Sequence, residues 1–565
     1  MRNSRPRIGR TGLRSALLAL FLLVGVDATP VRADDLPTPE AKYRAALKRP
    51  SLNKRMQGRI AFARAGLPEA VGILAADYLR PEDPKDYVRY LIATVATEYL
   101  ANVPGVAPGF AAWRAQAHEP IDAWLWFRSL VLDRLLSGTA AIETARAAST
   151  PAVLRAAAIR ALASMADAET VEIVGDLLQA LPANEPDRSL LIEASAAAAR
   201  TWGSGLKDDA TRAQIERVAR LLDDQTLSRD TQDIVARNLA SLFGTDVMTG
   251  GSAPWLRELA AAVERPPGLE PPETQYAPGP FFGLRAVGRR IVYVIDASDS
   301  MLSPLSPDEL KKLKPTTSSD DGPPKKGLPK ADPEEPLPWQ KIKCRFDAAR
   351  EVLKRSLRAL KPDQSVCVVL FGDDARTLPA TPGLRLADPK TIESAVAQLD
   401  RVQPTPAPGD KLRPYGKLRG ETNLHGGLRL AFRVTTQGLL GPGEYVDLSK
   451  TGCDTIFLLS DGNPTTDDFR KVDKRDGEKT VKDRETMAPA PDTPESTFQG
   501  PYGDRMFLDL DYLTDDVRRM NLFRQAEIHC VAIGEVDDSL LQGLASIGGG
   551  RFRRVGEAAP SADGK

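Results

Sequence analysis

The stretch that most constrains this chain is Arg290-Ile291-Val292-Tyr293-Val294-Ile295, a run of β-branched and aromatic residues with no polar interruption after its first position. Such a run predicts a strand buried on both faces, and therefore a parallel sheet covered by helices on each side. It ends abruptly at Asp296-Ala297-Ser298-Asp299-Ser300-Met301. A buried parallel strand delivers its functional groups where it stops, at the carboxyl edge of the sheet. Asp296, Ser298 and Ser300 put three hard oxygen donors at alternate positions, which suits Mg²⁺, Mn²⁺ or Ca²⁺ and not a thiolate-preferring metal. Taken alone, the same residues also describe a strand followed by an ordinary Ser/Asp turn.

The chain around this strand is too long for one core, at 565 residues, and two or more domains are expected. From Phe281 onward strand-like and helical runs alternate. Strands are predicted at Ile291–Ile295, Ser365–Phe371, Thr455–Ser460, Ile528–Ile533 and Arg551–Val555. Helices are predicted at Arg345–Leu360, Thr391–Leu399, Leu424–Val434, Leu513–Gln525 and Ser539–Ser546. That alternation predicts a doubly wound, Rossmann-like α/β sheet over residues 281–557. Two long polar segments interrupt it, at about 302–337 and 463–503, and both leave from the same sheet edge. Loops of that length are functional or disordered.

Residues 34–264 read as helical throughout: Ala, Leu, Arg and Glu dominate and apolar residues recur at helical spacing. Arg160-Ala161-Leu162-Ala163-Ser164-Met165 matches Arg237-Asn238-Leu239-Ala240-Ser241-Leu242, and Ser189–Trp202 lies between them. A two-helix unit of roughly forty residues is the signature of a HEAT-like solenoid; the alternative is an irregular helical bundle. Repetition is not convincing before residue 150, where Trp113, Trp124, Trp126 and Phe127 are expected in the core. The prolines of residues 265–280 exclude helix and central strand, and mark a linker. Residues 558–565 are expected to be a disordered tail.

Residues 1–33 carry the pattern of a secretory signal peptide: Arg2, Arg5, Arg7, Arg10 and Arg14, a short apolar stretch from Ser15 to Val26, then Val31-Arg32-Ala33. An uncleaved anchor is the alternative, disfavoured by the shortness of the apolar run. An exported protein is expected, in the periplasm, at the cell surface or secreted, with no transmembrane span in the mature chain. Lys plus Arg equals Asp plus Glu, at 76 each, so charge supplies no argument for a nucleic-acid partner. Cys344, Cys367, Cys453 and Cys530 show no CxxC spacing, and are read as buried small apolar residues.

Two further elements converge on the edge reached by Asp296. The strand Thr455–Ser460 runs into Asp461-Gly462, and Arg419-Gly420-Glu421-Thr422-Asn423-Leu424 is a loop feeding a helix. Asp296-x-Ser298-x-Ser300, then Thr422, then Asp461, resembles the metal-ion-dependent adhesion site of von Willebrand factor type A domains, and the ending Leu544-Ala545-Ser546-Ile547-Gly548-Gly549-Gly550-Arg551-Phe552 is similar to the last turn of such domains. The resemblance implies that Ser298 and Ser300 ligate a cation directly, Asp296 and Asp461 mostly through water, and Thr422 directly or through water. It implies Mg²⁺ (or Mn²⁺ or Ca²⁺) as cofactor and a protein partner presenting a carboxylate, because neutral hydroxyl ligands leave the cation short of negative charge. A metal that only stabilises a structural scaffold, or an envelope assembly factor, is the alternative. Asp299 stands where many such domains have glycine; it either points outward or adds charge near the metal.

No enzyme is expected. His118-Glu119-Pro120 lacks the second histidine of a zinc-protease helix, and no phosphate-binding Gly-rich loop or Gly-x-Ser-x-Gly elbow occurs. His425 reads as a polar loop histidine.

Overall fold

The computed structural model describes residues 38–49, 52–81, 85–185, 187–245, 248, 250–264, 281–284, 288–306, 337–372, 375–402, 422–440, 451–462, 464, 510–534 and 538–555. The expected signal segment, the expected linker, the expected tail and all but the ends of both insertions lie outside the described residues.

The first half is helical: α1 (Pro39–Leu47), α2 (Leu52–Arg64), α3 (Ala70–Leu79), α4 (Lys85–Tyr99), α5 (Ala107–Arg114), α6 (Ala123–Leu135), α7 (Ala140–Arg146), α8 (Ala152–Ser164), α9 (Glu169–Gln179), α10 (Asp187–Ala199), α11 (Asp209–Arg220), α12 (Arg229–Phe243) and α13 (Ala253–Glu264). The even-numbered helices from α2 to α12 lie each against the next, and α7, α9, α11 and α13 form a second row. The row thus reaches back well before residue 150, where no repeat was legible. Helices α8 and α10 are buried on nearly every face, and their alanines let neighbours on all sides approach closely. Trp113, Trp124, Trp126 and Phe127 are buried in this core.

The second half is built on strands β1 (Arg290–Asp296), β2 (Ser365–Phe371), β3 (Ala375–Thr377), β4 (Arg385–Leu386), β5 (Val434–Thr435), β6 (Gly438–Leu439), β7 (Thr455–Ser460), β8 (Glu527–Ala532) and β9 (Phe552–Arg554). Its helices are α14 (Arg345–Arg358), α15 (Pro389–Arg401), α16 (Leu424–Arg433), α17 (Leu510–Arg524) and α18 (Asp538–Gly548). One sheet has the order β3-β2-β1-β7-β8-β9, with β4 also on β2, while β5 and β6 pair apart. Strands β2, β1, β7, β8 and β9 are parallel, and β3 and β4 antiparallel.

The pleat sends alternate residues of β1 to opposite faces. Ile291, Tyr293 and Ile295 pack with α14 and α15 in one core. Val292 and Val294 pack with α16, α17 and α18 in the other. The unbroken apolar strands follow from this double coverage. Gly427 lets α16 lie directly on the sheet, since a Cβ there would stand 2.9 Å from Phe371 Cδ1 and 3.0 Å from Val294 Cγ1. All four cysteines are buried and free. Cys367 on β2 and Cys530 on β8 are separated by β1 and β7, too far apart to pair. Among the described residues no helix is long and apolar enough to cross a membrane.

The two halves are docked. Leu522 and Phe523, at the end of α17, are buried in the core of the helical half. Arg237 Nη1 of α12 donates to the carbonyls of Asp454 (2.8 Å) and Gln525 (3.1 Å). Arg290 Nη1 donates to Asp230 Oδ1 at 2.9 Å, Arg128 Nη1 to Asp515 Oδ2 at 2.8 Å, and the Arg519 guanidinium sits 4.3 Å from the centre of the Tyr90 ring.

Candidate metal centre

Strand β1 is where the chain reverses direction across the sheet: β2 lies on one side of it and β7 on the other. Connections leaving β1 and β7 diverge, and the carboxyl ends of these two strands border the crevice that such a switch point opens. Asp296 ends β1, and Asp461 follows Ser460 at the end of β7. Sequence periodicity alone could place both residues at strand ends; the adjacency of those strands is a property of the fold.

A short hydrogen-bonded network ties these ends together. Asp296 Oδ1 accepts from the Ser298 N–H at 2.8 Å, and Asp296 Oδ2 accepts from Ser460 Oγ at 2.6 Å. The hydroxyls of Ser298 and Ser300 are 2.9 Å apart, and Ser300 Oγ donates to Asp461 Oδ1 at 2.6 Å. The Ala297 N–H donates to the Phe371 carbonyl at 2.6 Å, which pins the turn to the end of β2. Thr422 reaches the same edge from another direction: the Asn423 N–H donates to the carbonyl of Gly372, just past β2, at 2.7 Å. Asn423 Oδ1 accepts from the Gly426 N–H at 2.7 Å and caps α16. Asp296, Ser298, Thr422 and Asp461 are buried, while Ser300 stands exposed at the mouth.

The electrostatics are those of a site short of positive charge. Burial, with the neighbouring Asp461 charge second, pushes the Asp296 carboxyl up to about 7. Burial also raises the Asp461 carboxyl, opposed by its bonds to Ser300 and Arg345. Two buried carboxylates at adjacent strand ends, with serine hydroxyls between them and the solvent, form an oxygen-only donor set that fits a hard divalent cation. Among the described residues no group of three or more His, Cys, Asp and Glu side chains is placed to hold a metal, so hydroxyls are required for any such site here.

Two participants were not legible in the sequence. Ser460 orients Asp296 from the neighbouring strand; its only signal was a polar residue closing an apolar run. Arg345, at the start of α14, donates from Nη1 to Asp461 Oδ2 at 3.0 Å. The guanidinium passes so close to Gly534 that a Cβ there would collide with it. Arg345 places a fixed positive charge against one site carboxylate. Asp299 is exposed, and its side chain makes no hydrogen bond or ion pair among the described residues.

His425 is not a loop residue. It lies in α16, fully buried, and its Nε2 is 2.8 Å from Asp516 Oδ2 on α17. Burial pushes the Asp516 carboxyl up, but Arg519 and His425 outweigh it and hold it well below the usual carboxylate range. The partner that permits its burial is ninety-one residues away.

Residues 340–481 and 504–553 match the family model described as von Willebrand factor type A domain, which supports a domain of that type in the α/β half. Thr422 and Asp461 fall inside the matched residues, and Asp296, Ser298 and Ser300 precede them. No curated protein matches the chain.

Proposed function

We propose that this is an exported protein that binds a partner protein through a divalent cation held by Asp296, Ser298, Ser300, Thr422 and Asp461, with Mg²⁺ (or Mn²⁺ or Ca²⁺) as the cofactor. The observation that carries the reading is the pair of buried carboxylates at the adjoining ends of β1 and β7, with the Ser300 hydroxyl at the mouth. When bound, the cation supplies a site for an anionic oxygen from outside. The protein's own residues do the rest: Asp296 and Asp461 provide charge, the serines provide neutral ligands, and Ser460 and Asn423 hold the frame. A partner's carboxylate is the group of matching chemistry. The basic, apolar, small-residue order of residues 1–33 supports export to the periplasm, the cell surface or the medium. The stacked helices, read as HEAT-like repeats, supply a second interaction surface, so the molecule acts as an adaptor without catalysis.

One observation favours a second reading. Asp296 and Ser298 are almost wholly buried, as expected of a metal that only stabilises the fold. A pull-down from envelope extract separates the two, using wild type and Asp296→Ala, each in Mg²⁺ and in EDTA. The adhesion reading expects partners recovered by wild type in Mg²⁺ alone. Identical partners in all four samples, with metal raising only thermal stability, would leave the structural reading standing.

Arg345 competes with the cation for Asp461. Arg345→Gln is expected to raise Mn²⁺ affinity by about tenfold, or ~1.4 kcal/mol, because one fixed positive charge leaves the site. The metal-free protein should lose stability in the same variant, since a nearly buried ion pair has been broken from one side. A Mn²⁺ titration followed by electron paramagnetic resonance measures the first effect and chemical denaturation in EDTA the second. Unchanged or weaker Mn²⁺ binding would count against the competition.

A further inference from the structure

Three successive members of the even-numbered row of helices, α8, α10 and α12, each bring an arginine to the α/β half. Arg160 lies in α8, Arg200 just past the end of α10, and Arg237 in α12. This is the repeat visible in the chain, where Arg160-Ala161-Leu162-Ala163-Ser164 and Arg237-Asn238-Leu239-Ala240-Ser241 align. All three arginines line one narrow cleft between the halves, open to solvent and closed on the other side by Asn521, Gln525, Glu527 and the Gly548-Gly549 turn.

The three are not equivalent. Arg237 is engaged in docking, on the carbonyls of Asp454 and Gln525. Arg160 and Arg200 have no hydrogen-bond or ion-pair partner among the described residues. Each is half-buried, and each lines the cleft. Burial, then the charge of Arg200, pushes the Arg160 guanidinium down to about 9, and burial lowers Arg200. Guanidinium holds its proton under such pressure, so a counter-anion is the available relief.

The one carboxylate in the cleft does not provide it. Burial pushes Glu527 up, but His529 and then Arg237 and Arg551 hold it below the usual carboxylate range. Its Oε2 lies 3.5 Å from His529 Nε2, and it forms no ion pair with Arg160 or Arg200. Three guanidiniums against one carboxylate leave two uncompensated positive charges. The opposite wall is cut back to receive them: Gly549 has φ +67°, and a Cβ there would collide with Arg200 Nη1.

We propose that this cleft is a binding site for a compact oxyanion of two negative charges, phosphate or a short dicarboxylate, held between Arg160 and Arg200. Forked oxygens match the planar donor fork of guanidinium. The bound anion ties the helical row to the last turn of the α/β half, and so tightens the joint between them. The site is independent of the metal centre.

The test uses the full chain in EDTA at constant ionic strength, with sodium phosphate and sodium malonate titrated separately against chloride. Calorimetric binding and melting temperature are read for wild type, Arg160→Gln, Arg200→Gln and the double variant. Saturable binding with a rise in melting temperature is expected for wild type, at least about tenfold weaker in each single variant, and absent in the double variant. Preference between the two probes assigns the anion as phosphate or dicarboxylate. Without anion the variants should melt no lower than wild type, because no acidic partner is lost. Neither probe exceeding chloride, or equal affinity in the double variant, overturns the site. A lower anion-free melting temperature with unchanged phosphate affinity assigns the arginines to packing and overturns it too.

Discussion

In EDTA, Asp296→Asn is expected to be more stable than wild type above pH 7, while losing about 100-fold in Mn²⁺ affinity. The two effects share one cause. Asp296 is fully buried, and burial together with the charge of Asp461 pushes its carboxyl up to about 7. A carboxyl raised in the folded state penalises folding when it must ionise. The penalty is complete above about 7, fades as pH falls towards the unfolded value near 4, and is absent below that. Its size at pH 8 is on the order of 2–4 kcal/mol. Asparagine keeps the shape: its carbonyl accepts from the Ser298 N–H, its amide donates to Ser460 Oγ, and Ser460 donates in turn to the Gly462 carbonyl, now 3.2 Å away. Denaturant titrations of both proteins at pH 8 and pH 5 give the measurement. Equal stability at pH 8 would show that the carboxylate is compensated within the protein, and that the case for a cation is weak. The expected pairing of stability gained with binding lost is the usual relation between a strained site and its function.

Phe523→Ala is expected to cost about 3 kcal/mol and to uncouple the two halves. Phe523 belongs to α17, a helix of the α/β half, yet with Leu522 it is buried in the helical core. The polar bridges across the joint are weaker than this packing. Arg128 and Asp515 remain 19% and 12% exposed, and the solvent that reaches the pair screens it. Calorimetry should show one cooperative transition for wild type and two for the variant. A single transition at an unchanged temperature would place the coupling elsewhere.

The strands of the α/β half were legible because burial on both faces leaves no polar position inside them, and Ser365–Phe371 and Thr455–Ser460 begin and end where the apolar runs do. Asp296, Ser298, Ser300 and Asp461 were legible for the same reason: polarity returns abruptly at a strand end. Arg345 and Ser460 were not, since their roles depend on which strand ends are neighbours. The docking was hidden for a related reason. Leu522 and Phe523 continue the apolar pattern of α17, and a helical period does not say that one helix serves two cores. The short strands β3, β4, β5 and β6 are too brief to carry a period at all.

The buried contact between His425 and Asp516 has a mechanical consequence. His425 stands three residues from Thr422 on the helix that Asn423 caps, Asp516 lies on α17, and Arg519, which also binds Asp516, stacks on Tyr90 of the helical half. A tensile load applied at the mouth of the candidate metal centre therefore has a route into the helical rows through packed helices and one buried ion pair. That route does not pass through residues 265–280. Traction at this site would therefore load the docked joint, through Asp516, Arg519 and Tyr90.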